Sequence, residues 1–113
     1  MTEKGAALDE VEAALAAAAR GLDPRRVAER AAYMKSAMPL VGLAVPAQRA
    51  VLKHGFSFSR SPFAAQFPLW EHVWWHARSH EAKILAAFWV EGVRDAPEPA
   101  DLWRMVSPWS AGI

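Results

Sequence analysis

Apolar side chains recur along this chain at three- and four-residue steps, the mark of helices with one buried stripe. Leu8, Val11, Leu15 and Ala18 follow that rhythm on an alanine-rich background and predict a helix over 8–20. Gly21 is placed to end it. Asp23-Pro24 then supplies a cap and a first-turn proline for a second helix, with Val27, Ala31, Met34 and Met38 inward. Pro39 and Gly42 interrupt the pattern, and Pro46 restarts it for a third helix to about His54, closed by Gly55. Ser61-Pro62 repeats the capped start, and Pro68 is expected to end or kink the helix through Phe63 and Phe67. Leu69 to Ala77 continues with Leu69 and Val73 inward, and Ser79 caps a helix carrying Ile84, Leu85, Phe88 and Trp89. Pro97 and Pro99 link to a last helix opened by Asp101, with Leu102, Met105 and Val106 inward.

No stretch alternates with period two, and no Asn-Gly or Asp-Gly hairpin turn occurs. The expectation is an all-α chain of five to seven helices. The proline starts at Pro24 and Pro62 lie about 40 residues apart, each followed by a second helix, the spacing of HEAT-type pairs. Antiparallel helix pairs stacked as a HEAT-like α-α superhelix would have a concave face lined by the inner helices.

A 113-residue chain is one domain in size, and its 53% of apolar residues suffices for a core. With no cysteine, disulfides and thiolate metal sites are excluded. The acid-rich start MTEKGAALDEVEAAL is no signal peptide, and no run reaches the ~18 apolar residues a membrane helix requires. A cytoplasmic protein without membrane attachment is expected. The net charge of +1 conceals an asymmetry. Between Arg20 and Arg60 eight Lys or Arg face only Asp23 and Glu29, a surplus of six that leaves −5 for the remainder. A basic sector of this kind suits phosphate binding, and equally a solvated helix face.

All six tryptophans, Trp70, Trp74, Trp75, Trp89, Trp103 and Trp109, lie in the second half. Trp89 and one of Trp74 and Trp75 are expected in the core, while Trp70 is ambiguous. His72, His76 and His80 follow a four-residue step, but a helix break at Arg78-Ser79 and the lack of a completing carboxylate argue against a metal site. No Walker loop, GxSxG or HExxH occurs. No metal and no cofactor are expected.

Two segments carry a resemblance. YMKSAMPLVGLAVPAQRAVLK, residues 33–53, resembles the first helix-loop-helix of the DNA alkylation repair family (AlkD-like DNA glycosylases), where a Tyr-Met-Lys-type helix end is followed by a Gly-Val-x-x-Pro turn and an arginine-bearing helix. LWEHVWWHARSHEAKILAAFWV, residues 69–90, is similar to the family's Leu-Trp…His-Glu segment. The resemblance covers the chain from about Ala28 to its end. It implies a HEAT-like superhelix that holds duplex DNA in a basic groove and releases N3- or N7-alkylated purines without a metal. An indole would contact the cationic lesion, and an aspartate would stabilise the sugar's developing charge.

On that resemblance Arg25, Arg26, Lys35, Arg49 and Lys53 are the expected DNA-binding residues, with Lys35 and Lys53 best placed. Trp103 and Trp109 are the candidate lesion-contacting aromatics. The family's Trp-Asp motif is not intact. One register places it on Trp103–Ser107, with Arg104 and Ser107 at the acidic positions; the preferred register sets it beyond SPWSAGI, residues 107–113. No catalytic aspartate is named in either. Residues 1–113 are thus expected to form a single helical-repeat domain, incomplete at its C-terminal end. Self-association through apolar surface at Trp103, Val106, Trp109 and Ile113 is the expected consequence. The rival reading is a helical-repeat scaffold that binds protein through its aromatic half.

Overall fold

A computed structural model describes residues 3–34, 39 and 41–112, and every element it contains is helical. The order is α1 (Glu3–Ala18), α2 (Pro24–Met34), α3 (Val45–His54), α4 (Phe63–His76), α5 (His80–Gly92), α6 (Pro99–Val106) and a terminal 3₁₀ helix (Ser107–Gly112). The first helix begins five residues earlier than the apolar rhythm predicts, and Gly21 follows it at φ +86°. Leu8, Val11 and Leu15 are buried as expected, but Ala7 rather than Ala18 completes the stripe.

The fold is all-α and HEAT-like. Helices α4 and α5, joined by three residues, form an antiparallel hairpin, with α1 packed on α4 and α3 packed on α5. Since α1 also meets α3, two helix pairs stack on one another, α1/α3 upon α4/α5. That corrects the pairing expected from the prolines. Among the described residues α2 packs beside no other helix, so α3 takes its partner from α1. The side chains of Ala31 and Met34, and Met38 altogether, lie outside the described residues.

The centre of the stack is aromatic. Trp70 is 1% exposed; it stacks on Trp89 at 6.0 Å and meets Phe56 and Phe58 edge-on at 5.7 and 5.6 Å. Such rings bury large apolar area and gain from offset or edge geometry. This packing explains why Pro68 does not end α4. A proline in a helix interior costs about 3 kcal/mol or more, but here Phe67, Trp70, Val73 and Trp74 are all buried around it. The serine-proline start also works differently than expected. Pro62 itself occupies the cap position without a side-chain bond, and the Phe63 N–H donates to Asp95 Oδ2 at 2.8 Å.

At the C-terminal end, Trp109 is 5% exposed, stacked on Trp74 at 5.4 Å and on Phe67 at 5.8 Å. Its Nε1–H donates to Glu71 Oε2 at 3.3 Å, and its carbonyl accepts from Trp74 Nε1 at 3.0 Å. Lys83 Nζ donates to the Gly112 carbonyl and lies over the Trp74 ring. The expected apolar end therefore shrinks. Trp109 is core, Val106 is half-buried, Ile113 lies outside the described residues, and Trp103 remains at 68% exposure.

Candidate nucleic-acid interface

Glu81 fixes the loop that leads into α3. It is 1% exposed in the first turn of α5, where a carboxylate suits the positive helix end. Its two oxygens accept from the backbone N–H groups of Val41 (3.0 Å), Gly42 (2.7 Å) and Leu43 (3.1 Å). Gly42 is required twice over at this point. Its φ is +97°, and a Cβ there would stand 2.7 Å from Val27 Cγ2. Gln48 Nε2 donates to the Leu43 carbonyl at 2.9 Å, tying the loop to α3. From sequence Glu81 was read only as a favourable charge in a first turn; its hold on residues 38 to 40 positions away carried no local signal.

Helix α3, so anchored, presents Arg49 and Lys53 one turn apart, both exposed. The Arg49 guanidinium lies 4.1 Å above the Phe88 ring and 3.9 Å from Glu91 Oε1. Cation–π and exposed ion-pair contacts of this kind contribute about 1 kcal/mol at most, so they orient the arginine without consuming its charge. Leu52, on the same helix, borders an open groove of about 660 Å³. The groove is also lined by Phe88, Trp89, Ser59, Arg60, Arg94 and Asp95. Arg60 and Arg94 are exposed, and sequence reasoning named neither as a site residue. Arg60 belonged to the basic segment but lay past Gly55, and Arg94 sat in the net-acidic remainder.

The other expected phosphate contacts separate from this patch. Arg25 and Arg26 are exposed on α2, whose start is capped by Asp23 through Arg25 N–H at 3.0 Å. Arg26 lines a different cavity, with Val27, Gly42, Leu43 and Ala47. Lys35 lies outside the described residues. Of the five cations, then, the structure groups Arg49 with Lys53, and sets Arg25 beside Arg26 on another helix.

A family model for DNA alkylation repair enzyme matches residues 11–112. The chain belongs to that family. No curated protein and no solved structure matches it.

In this DNA alkylation repair family member much of the acidic remainder is bonded to loop and turn groups. Glu10 accepts from Ser57 N–H and Oγ–H at 2.7 and 2.6 Å. Glu12 accepts from Arg78 N–H at 2.7 Å and Ser79 Oγ–H at 2.6 Å, while Asp9 pairs with Arg78 at 2.7 Å. With Glu81 and Asp95 similarly engaged, carboxylates secure the turns, and cations dominate the groove rim. The histidines do not form the row that their spacing suggests. His72 and His76 approach at 4.3 Å between ring centres, whereas His80 opens α5 and donates its backbone N–H to the Pro39 carbonyl. Burial, then the neighbouring His76 and Lys4, lowers the His72 pKa below its ordinary 6.5. No group of three or more metal-ligating side chains occurs among the described residues, and no helix there is long and apolar enough to cross a membrane.

Proposed function

We propose that this chain binds duplex DNA across the α3–α5 face and recognises purines made cationic by alkylation. The observation that carries the reading is an open groove lined by Arg60 and Arg94, with Arg49 over its Phe88 and Lys53 one turn further along α3, on a member of the DNA alkylation repair enzyme family. Cations spread along a rigid helix face neutralise successive phosphates and release their counterions, giving affinity without sequence preference. Arg25 and Arg26, exposed on α2, and Lys35 are proposed as further phosphate contacts. Trp103 offers an exposed indole whose π-face attracts a positively charged base. Trp109 is withdrawn from that role by its burial.

The reading is tested with a duplex carrying one N7-methylguanine against the same duplex undamaged. Binding of both, tighter to the damaged one and weakened for both by Arg49→Ala/Lys53→Ala, is the expected result. Binding of neither duplex at low salt would refute it. Following released base in the same samples separates binding from cleavage of the glycosidic bond.

A further inference from the structure

We infer that the groove between α3, residues 59–62 and the end of α5 is a built pocket for one nucleotide unit, a nucleoside 5′-monophosphate. This rests on reading the surrounding face as a nucleic-acid surface, and it adds a pocket to what would otherwise be a phosphate rail. At about 660 Å³ the cavity falls within the ~300–1,000 Å³ of small-molecule sites. Its lining is of two kinds. Leu52, Phe88 and Val93, with the edge of the buried Trp89, are apolar and partly aromatic, suited to the flat face of an unstacked base. Ser59, Arg60, Ser61 and Arg94 are polar or cationic. Two guanidiniums, each a fork of donors, match a phosphate dianion.

Other polar lining groups have partners within the protein. Gln66 Nε2 donates to the carbonyls of Ser59 and Ser61, and its Oε1 accepts from Trp70 Nε1. Asp95, the acidic lining residue, accepts from the Phe63 N–H through Oδ2 and keeps its charge, which the two guanidiniums outnumber. The Ser59 hydroxyl accepts from Phe56 N–H at 2.7 Å, a bond that uses none of its donor capacity. An anion with an apolar, planar body satisfies both kinds of lining; inorganic phosphate satisfies one.

Gly92 gives a clean way to close the pocket. It lines the cavity, and a Cβ added there meets nothing within 4 Å. Gly92→Leu should therefore fold with an unchanged melting temperature while filling the space. Calorimetric titration with adenosine 5′-monophosphate should show saturable binding to the wild type, at least tenfold weaker binding to Gly92→Leu and to Arg60→Ala/Arg94→Ala, and weaker binding of adenosine or inorganic phosphate alone. Duplex affinity reduced in Gly92→Leu would support a nucleotide of the bound strand as occupant, and unchanged duplex affinity would support a free one. No saturation by the monophosphate below about 10 mM, or equal binding by wild type and Gly92→Leu, would overturn the inference. Duplex binding that survives Arg49→Ala/Lys53→Ala would count against the proposed function while leaving the pocket intact.

Discussion

On α4, Trp70 is 1% exposed and meets the rings of Phe56, Phe58 and Trp89; on α2, Arg25 and Arg26 stand exposed, with no helix alongside among the described residues. The two regions divide the work of the chain. The stack of α1, α3, α4 and α5 holds the molecule together through aromatic packing. The charged rim adds little to that stability and is free to serve a ligand. Helix α3 belongs to both, because its inner face packs on α1 and α5 while Arg49 and Lys53 face outward. Glu81 joins the regions, since it grows from the packed hairpin yet fixes the loop that aims α3.

Breaking the packed region should give the largest effect. Trp70→Ala removes the most central ring and is expected to cost about 3–5 kcal/mol in denaturant unfolding. A loss under about 1 kcal/mol would mean that the aromatic centre is not what holds the stack. Next comes the joint. Glu81→Ala leaves three backbone donors without their acceptor and should cost about 3 kcal/mol. Glu81→Gln should lose less, because the amide oxygen can keep the Gly42 and Leu43 bonds while the amide nitrogen cannot accept from the Val41 N–H. Full stability in Glu81→Gln would show that the loop finds other partners.

How far these features could be read in the sequence follows from the range of the interactions behind them. Periodicity and capping act within a few residues, so the all-α class, the Ser79 cap, the Pro46 start and the Gly55 stop were all legible. The partner of α3, the path of α4 through Pro68 and the burial of Trp109 were not, because each depends on packing between distant segments. The acids illustrate the same limit. A net −5 outside the basic segment said nothing of Glu10, Glu12, Glu81 and Asp95 being spent on backbone N–H groups up to 66 residues away. Within the candidate site, Arg49 and Lys53 were visible from their one-turn spacing. Arg60 and Arg94 became neighbours only through the fold.

A smaller effect sharpens the comparison from the α4 side. His72 is held neutral in the fold below its ordinary pKa of 6.5. Below about pH 6.5 the unfolded chain takes up a proton that the folded chain refuses, so stability should fall with pH from there down to the lowered folded value. Above that window His72 should contribute no pH dependence. His72→Gln should flatten this part of the stability profile, and an unchanged profile would show that His72 is solvated like a free imidazole.

The central claim, that the outward face of α3 serves duplex DNA while the stack beneath serves stability, is tested most directly by the salt dependence of duplex binding. The wild type and Arg49→Ala/Lys53→Ala would be titrated with an undamaged duplex across a range of salt concentrations, with melting temperatures measured in parallel. The double variant should bind more weakly, with a log–log salt slope shallower by roughly 2, and melt within about 5 °C of the wild type. Equal affinity and equal slope in the two proteins would contradict the account.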